Sequence, residues 1–179
     1  PELATTKTFG CSTKWGWKTE LKTKVDKEWS EKEVKLDDLS KEGLTELISN
    51  ESSEKLRLIN FWASWCGPCR LEYPEFVVIQ RMFGARDFEF VSVSLDNADK
   101  KRKALEILVK AESALQNYIS TVTDKYELIE LVDKNWNGAL PYTLLIEPGG
   151  NVVWSHQGEV DFLELKRAIA DHDMIGRVY

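Results

Sequence analysis

The stretch that decides the fold reads LRLINFWASWCGPCRLEYPEF and spans residues 56–76. Its first part, Leu56 to Trp62, is a nearly continuous apolar run, which is typical of a strand buried on both faces of a sheet. Ala63 to Trp65 then form a short loop, and a helix is predicted from about Cys66 to Phe83. The stretch therefore predicts a strand, a loop and a helix, with two cysteines where the helix begins.

The sequence around this unit alternates between strands and helices. Further strands are predicted at Val34–Leu36, Phe88–Leu95, Tyr118–Val122, Tyr142–Ile146 and Val152–Ser155. Helices are predicted after an N-cap at Asp37 and Asp38, after Asp96–Asp99, at Tyr126–Val132 and after an N-cap at Asp161, with a loose tail after His172. The Gly-rich loop at residues 147–151 joins the last two strands as a hairpin. This order predicts an α/β fold with a central mixed sheet flanked by helices.

Residues 1–33 differ in composition from the rest of the chain. They are rich in Lys, Thr and Trp and show no clear period, so we expect an N-terminal arm or linker followed by one domain at residues 34–179. Cys11 lies in this arm, and a free thiol without function is the favoured interpretation. The chain begins at Pro1 without Met, which leads us to expect a processed protein or a piece of a longer one.

Composition excludes several classes of partner. Hydrophobic residues make up 42% and charged residues 30% of the chain, with a net charge of −6. A phosphate-binding surface is not expected, so nucleic acid is excluded as a partner. No apolar run has the length of a membrane span, and membrane attachment would require a segment outside this sequence.

Two cysteines one helical turn apart point to thiol chemistry. Cys66 falls where unpaired backbone N–H groups stabilise a thiolate, so we expect it to be the exposed attacking thiol. Cys69 lies one turn further in and is expected to be the buried resolving thiol, while Pro68 in the first turn costs little. A zinc site needs about four ligands, and His156 and His172 lack ligand spacing, so neither a metal nor an organic cofactor is predicted.

A reaction follows from this arrangement. The Cys66 thiolate attacks a substrate disulfide and forms a mixed disulfide, and Cys69 then attacks Cys66 and releases the reduced substrate. Read backwards, the same steps oxidise a dithiol substrate. The residues alone leave both directions open.

These residues resemble the thioredoxin superfamily. The segment from Asn60 to Arg70 is similar to the active-site strand and motif of that family, and Gly138 to Thr143 resembles the loop that carries its cis-proline. Within the superfamily the chain is most similar to the extracytoplasmic TlpA/ResA type, because Glu72 and Pro74 follow the motif. The stretch between Leu95 and Pro141 is also long enough for an extra helix and strand inserted before the cis-proline loop.

The resemblance implies roles for further residues. Pro141 is expected to follow a cis peptide bond and to pack against the dithiol, with the Leu140–Pro141 peptide offering backbone groups to an extended substrate. It also implies substrate contact by Trp65, Gly67 and Pro68. The resemblance covers about residues 34–172.

One departure from the family pattern concerns proton transfer. Thioredoxins carry an Asp where this chain has Asn60, and Asn60 does not titrate. Glu72 is the candidate replacement, because it lies three residues after Cys69 on the same helix. A partly buried Glu has a raised pKa and moves protons near neutral pH. The alternative is a solvated surface Glu.

The predicted function is thiol–disulfide exchange with protein or peptide substrates, with the CGPC loop favouring a reductant. The expected partners are disulfide-containing proteins and an upstream thiol donor. The resemblance implies an extracytoplasmic location, periplasmic or membrane-anchored, and a part in cell redox homeostasis. Two alternatives stay open, a redox-inactive protein-binding module and a peroxiredoxin-like peroxidase.

Overall fold

A computed structural model describes residues 32–176 of the chain. Cys11 and nearly all of the predicted arm at residues 1–33 lie outside these residues, so the expectations for them stay predictions. Between residues 32 and 176, no helix has the length and apolar character needed to cross a membrane.

The centre of the described part is a mixed sheet in the order β1-β4-β3-β2-β5-β6. Its strands are β1 (Asp37–Leu39), β2 (Leu56–Trp62), β3 (Phe88–Ser94), β4 (Gln116–Ser120), β5 (Tyr142–Ile146) and β6 (Val152–Gln157). The first four strands pair in parallel, while β5 is antiparallel to both β2 and β6. The carboxyl ends of the four parallel strands therefore lie at the same end of the sheet, and β5 begins at that end.

Helices pack on this sheet. They are α1 (Lys41–Ser49), α2 (Gly67–Phe83), a 3₁₀ turn (Ala98–Lys100), α3 (Lys101–Lys110), α4 (Lys125–Val132), α5 (Phe162–Ala170) and α6 (Asp173–Gly176). The strand at residues 56–62, the helix to Phe83 and the Asp161 cap of α5 are confirmed.

All seven residues of β2 are buried, and its five apolar residues are divided between two apolar clusters. Leu58 and Trp62 face the cluster formed with α2, whereas Ile59 and Phe61 face the one that includes Leu44 of α1. A central strand covered on both faces explains why five of its seven residues are apolar. The expected α/β architecture of a thioredoxin-like fold is confirmed.

The start of the domain differs from the prediction. The first strand is Asp37–Leu39 rather than residues 34–36, and it pairs with β4 at the edge of the sheet. Asp37 and Asp38 are therefore extended strand residues and do not cap the helix. Ser40 is the N-cap of α1, and its Oγ accepts the Gly43 N–H at 3.2 Å.

The tail after His172 was expected to be loose, and this is wrong for the described residues. The short helix α6 buries Ile175, and the Arg86 guanidinium donates to the Ile175 carbonyl at 2.8 Å. One apolar side chain and one charged donor hold the segment in place.

The insertion between Leu95 and Pro141 contains α3, β4 and α4. It is joined to the cysteine-bearing helix through Tyr73 of α2. The buried Tyr73 hydroxyl lies 2.9 Å from the Ser113 Oγ and donates to the Asn117 Oδ1 at 3.0 Å. The insertion is thus fixed to the helix that carries the two cysteines.

Candidate active site

Cys66 and Cys69 lie at the N-terminus of α2 and are joined by a disulfide bond. Cys66 is the N-cap residue with extended backbone angles, and its Sγ accepts the Cys69 N–H at 3.3 Å. Pro68 occupies the first turn, where a missing N–H leaves no helical hydrogen bond unmade. The sulfur of Cys66 thus faces the free N–H groups of a helix start.

The expected exposure of Cys66 is wrong for this oxidised state. Cys66 is 5% exposed and Cys69 is 1% exposed, and both belong to the apolar cluster that includes Ala63 and Tyr73. The expected burial of Cys69 is confirmed. The surface around the pair is formed by Trp65, which is 66% exposed, and by the exposed Gly67 and Pro68.

The peptide between Leu140 and Pro141 is cis, as the resemblance implied. Pro141 is buried and its carbonyl accepts the Gly158 N–H at 2.9 Å. Leu140 is half-buried and packs against the apolar cluster that contains both cysteines. Within residues 32–176, the backbone N–H and carbonyl of Leu140 make no hydrogen bond.

An aromatic stack that the sequence analysis missed supports this loop. Trp136 lies on Tyr142, with ring centroids 4.9 Å apart and an interplanar angle of 8°. The indole N–H of Trp136 donates to the Ala139 carbonyl at 2.8 Å, and the Tyr142 hydroxyl donates to Asp133 at 2.6 Å. These contacts hold the residues before the cis bond in position.

Glu72 is buried rather than solvated, with 8% of its surface exposed. Its Oε2 accepts the Val160 N–H at 3.2 Å, while its Oε1 is buried and has no hydrogen-bond partner among the described residues. Burial raises the pKa of Glu72 from 4.5 to about 7, against a lowering by the Val160 N–H. The nearby Glu159 also raises this pKa, and the Asn60 side chain lowers it. One helical turn separates Glu72 from Cys69.

Asn60 is buried on β2 beneath the site. Its Nδ2 donates to the Oγ1 of Thr143, the cross-strand partner on β5, at 3.1 Å. This bond fixes the orientation of the Asn60 side-chain amide, which cannot take up a proton. Of the two residues considered for proton transfer, Glu72 alone is titratable.

Asp96 is the main residue that the sequence analysis did not identify as part of the site. It is 3% exposed, and its carboxylate accepts the Ser64 N–H at 2.7 Å, the Ser64 hydroxyl at 2.8 Å and the Ser94 hydroxyl at 2.8 Å. Ser64 lies in the loop that leads to Cys66. Asp96 therefore anchors that loop to the end of β3.

No group of three or more His, Cys, Asp or Glu side chains is placed to hold a metal ion between residues 32 and 176. The two histidines have other partners. His156 Nε2 lies 2.8 Å from the Glu159 carbonyl, and His172 Nε2 lies 3.0 Å from the Glu147 carboxylate.

Comparison with known proteins agrees with this geometry. The family model described as AhpC/TSA family matches residues 27–155. A thioredoxin of Coprinus comatus is 34% identical over 92 residues, which cover 51% of this chain and 81% of that protein.

The chain belongs to the AhpC/TSA family within the thioredoxin superfamily.

More distant relatives refine this placement. The thiol-disulfide oxidoreductase ResA of Oceanobacillus iheyensis is 28% identical over 64% of this chain, and the chain spans 55% of its length. A solved thiol:disulfide interchange protein of the thioredoxin family from Chlorobium tepidum superposes with a TM-score of 0.54 at 23% identity, covering 69% of this chain and 81% of its own. The likeness to TlpA/ResA proteins and the class of enzyme, thiol–disulfide oxidoreductase, are confirmed.

We predict that Asp96→Asn destabilises the protein. The amide replaces one of the two accepting oxygens with a donor, which leaves a buried Ser64 or Ser94 group unpaired. The free energy of unfolding in denaturant should fall by about 1–3 kcal/mol. The exposed Asp99→Asn, one turn further along the chain, is the control and should stay within about 0.5 kcal/mol of wild type. Equal stability of the two variants would contradict the anchoring role.

We predict that the buried Glu72 makes the oxidised protein less stable as pH rises. The folded pKa of about 7 lies above the unfolded value of 4.5, so the folded state holds the proton more tightly between these values. Since one pH unit corresponds to about 1.4 kcal/mol, the free energy of unfolding of Glu72→Gln relative to wild type should rise by about 3 kcal/mol between pH 4.5 and pH 7. Urea unfolding across this range tests the prediction. A constant difference between the two proteins would show that the Glu72 pKa is not raised.

Proposed function

We propose that this chain reduces disulfide bonds in protein or peptide substrates, using Cys66 and Cys69 as a dithiol that an upstream thiol donor regenerates. The observation that carries the proposal is the cysteine pair at the start of α2, where the N–H of Cys69 points at the Cys66 sulfur. Such a position stabilises a thiolate on Cys66, and the thiolate is the nucleophile in disulfide exchange.

The reaction proceeds in two displacements. The Cys66 thiolate attacks one sulfur of the substrate disulfide, and the other substrate sulfur leaves as a thiolate that takes up a proton. Cys69 then gives up its proton and attacks the Cys66 sulfur, which releases the second substrate sulfur as a thiolate that also takes up a proton. The substrate gains two electrons and two protons, and the protein is left with the Cys66–Cys69 disulfide.

Glu72 accepts the proton of Cys69 in this proposal. Cys69 lies in the apolar cluster, where a thiolate is poorly solvated, so its deprotonation needs a nearby base. Glu72 follows one turn later, its Oε1 has no hydrogen-bond partner in the described part of the chain, and its pKa of about 7 suits proton transfer at neutral pH.

Substrate contact falls to residues around the disulfide. The unpaired backbone N–H and carbonyl of Leu140 can pair with an extended substrate segment in the manner of an added strand. Trp65 supplies an exposed aromatic surface beside Cys66, and the exposed Gly67 and Pro68 let the substrate approach closely. Pro141 lies behind Leu140 and positions it.

We place this activity outside the cytoplasm, in the periplasm or at a membrane. The support is the similarity to the ResA type of thiol–disulfide oxidoreductase. The upstream donor would be another protein dithiol able to reduce the Cys66–Cys69 disulfide, and no organic cofactor is required.

Peroxide reduction is the second candidate, favoured by the match to the AhpC/TSA family model. It would use Cys66 as the peroxide-reducing thiol and Cys69 as the resolving thiol. The Trp-Cys-Gly-Pro-Cys motif at residues 65–69 and the cis peptide before Pro141 favour disulfide exchange instead.

We predict that the chain catalyses reduction of insulin by dithiothreitol. The reduction potential of the Cys66–Cys69 pair should be about −270 mV, the value for thioredoxin. Cys66→Ser should abolish turnover, and Cys69→Ser should accumulate the mixed disulfide with substrate. Cys11→Ser keeps the Cys66–Cys69 pair and should retain turnover. A potential of about −120 mV, typical of strong oxidants, would show that the pair oxidises its substrates instead of reducing them. Turnover of hydrogen peroxide but not insulin would favour the second candidate.

We predict that Glu72→Gln slows the second displacement and leaves the first nearly unchanged. Loss of a general base costs about 10²-fold in the rate of the step that it serves, so the mixed disulfide should persist in rapid acid-quench experiments. Glu75→Gln is the matched control, since Glu75 lies on the same helix and pairs with Lys166 at the surface. Equal slowing of both displacements would exclude proton transfer from Cys69 to Glu72.

A further inference from the structure

A groove of about 530 Å³ lies between α2 and α3 and reaches the reactive motif at Gly67. Leu71 and Pro74 of α2 line one side of it, and Ile107 and Ala111 line the other. Leu71 is 83% exposed and Pro74 is also exposed. Exposed apolar surface next to a groove is typical of a place where another molecule binds.

The unpaired charges of this α2–α3 groove are positive. Arg70 and Lys110 both line it, and neither side chain forms a hydrogen bond or salt bridge with another residue between 32 and 176. Lys103 lies one turn before Ile107 on the same face of α3 and likewise has no partner among the described residues. The groove is therefore cationic, although the whole chain has a net charge of −6.

The acidic residues of α2, α3 and the turn after α3 do not neutralise these cations, because each has another contact. Glu72 is buried and accepts the Val160 N–H. The others form salt bridges at the surface: Glu75 with Lys166 at 3.3 Å, Glu106 with Arg102 at 3.6 Å and Glu112 with Arg81 at 3.0 Å.

We propose that the α2–α3 groove binds an acidic segment with apolar side chains on the upstream thiol donor, while a thiol of that donor attacks Cys66. The inference rests on the proposed function and deepens it, because it states the chemistry of the donor surface. Carboxylates of the donor would pair with Arg70 and Lys110, and its apolar side chains would pack on Leu71 and Ile107. The positive charge also favours the approach of the donor thiolate.

The donor suits this groove better than a substrate does. Substrates differ in sequence, and pairing with the backbone of Leu140 tolerates such differences because main-chain hydrogen bonds do not depend on the side chain. A donor is one protein with one surface, so a fixed pattern of charges speeds its encounter and excludes other partners. Neither Trp65 nor Leu140 lines the α2–α3 groove. Residues 1–31 of the chain hold six Lys and five acidic residues, so this segment does not complement a cationic groove.

The step that the groove serves is the reduction of the protein disulfide. A donor thiolate bonds to the Cys66 sulfur, the Cys66–Cys69 bond breaks, and Cys69 leaves as a thiolate that takes up a proton. The second donor thiol gives up its proton and attacks the donor sulfur bound to Cys66, which leaves as a thiolate and takes up a proton in turn. The donor loses two electrons and two protons, and the protein regains both thiols.

Two reduced dithiol peptides serve as donors in the test. Both contain Cys-Gly-Pro-Cys, followed in the first by Asp-Leu-Glu-Leu and in the second by Asn-Leu-Gln-Leu. Four extended residues cover about 13 Å, enough to follow α2 from Gly67 to Pro74, which are about 10 Å apart along the helix. Reduction of the oxidised protein is followed by acid quench and mass spectrometry. Each rate is divided by that of the same peptide with hydroxyethyl disulfide, which corrects for its intrinsic thiol reactivity.

The acidic peptide should reduce wild type about fivefold faster than the amide peptide at low salt, the effect of two exposed ion pairs. The ratio should approach one in about 1 M salt, where the Debye length is about 3 Å. The double variant Arg70→Gln/Lys110→Gln should also bring the ratio toward one. Lys55→Gln is the control, because Lys55 is equally exposed, has no salt bridge in the described range and precedes β2 at the other end of the sheet.

The apolar contact is tested at Leu71. Leu71→Ser should slow the reaction of both peptides about threefold, because the leucines of each peptide lose part of their apolar contact. Met82→Ser is the matched control, since Met82 is exposed on the same helix about three turns further along and does not line the groove.

The outcomes separate this inference from the proposed function. Dithiothreitol carries no charge, so reduction of insulin with it reports on the proposed function, which fails if insulin is not reduced. If insulin is reduced but wild type reacts equally with both peptides, or if the double variant keeps the preference, the inference alone is overturned. Equal peptide rates with a dimer that Arg70→Gln/Lys110→Gln dissociates would assign the groove to a second copy of the chain and would also overturn it.

Discussion

The N–H of Cys69 points at the sulfur of Cys66, and the proposed chemistry depends on this contact. It exists because β2 ends at Trp62 and a short loop carries the chain directly into α2, so that Cys66 becomes the N-cap. Burial on both faces holds the strand in place, and the Asp96 carboxylate holds the loop through Ser64. A displacement of either would move the sulfur away from the helix start that stabilises its thiolate.

A second constraint comes from the surroundings of Cys69. The apolar cluster that buries this residue disfavours a thiolate there, yet the second displacement of the proposed reaction requires one. Glu72 is held in the same region with one oxygen bonded to Val160 and the other without a partner. Glu72 is for this reason the base proposed to accept the proton of Cys69. In the proposed reaction, the residue whose burial is costly in the oxidised state is therefore the one that serves the step in which Cys69 reacts.

The elements with strong local signals were predicted from the sequence. The apolar run of β2, the helix after the cysteines and the Asp161 cap each follow from residues close in the chain. The start of the domain was not predicted correctly, since Asp37 and Asp38 look like caps until β4 is seen to pair with them. The anchoring role of Asp96 and the burial of Cys66 depend on contacts between distant segments, which no local pattern records.

The position of the disulfide follows from the topology. The carboxyl ends of the four parallel strands lie at the same end of the sheet. In α/β proteins, ligands bind beyond the carboxyl ends of such strands. The loop after β2 brings Cys66 to this end of the sheet, and the loop after β3 brings Asp96 to the same end. Because β4 is parallel to the neighbouring β3, the residues that follow β4 also lie at this end of the sheet. An insertion that adds a parallel strand here therefore enlarges the surface at the end of the sheet where the disulfide lies.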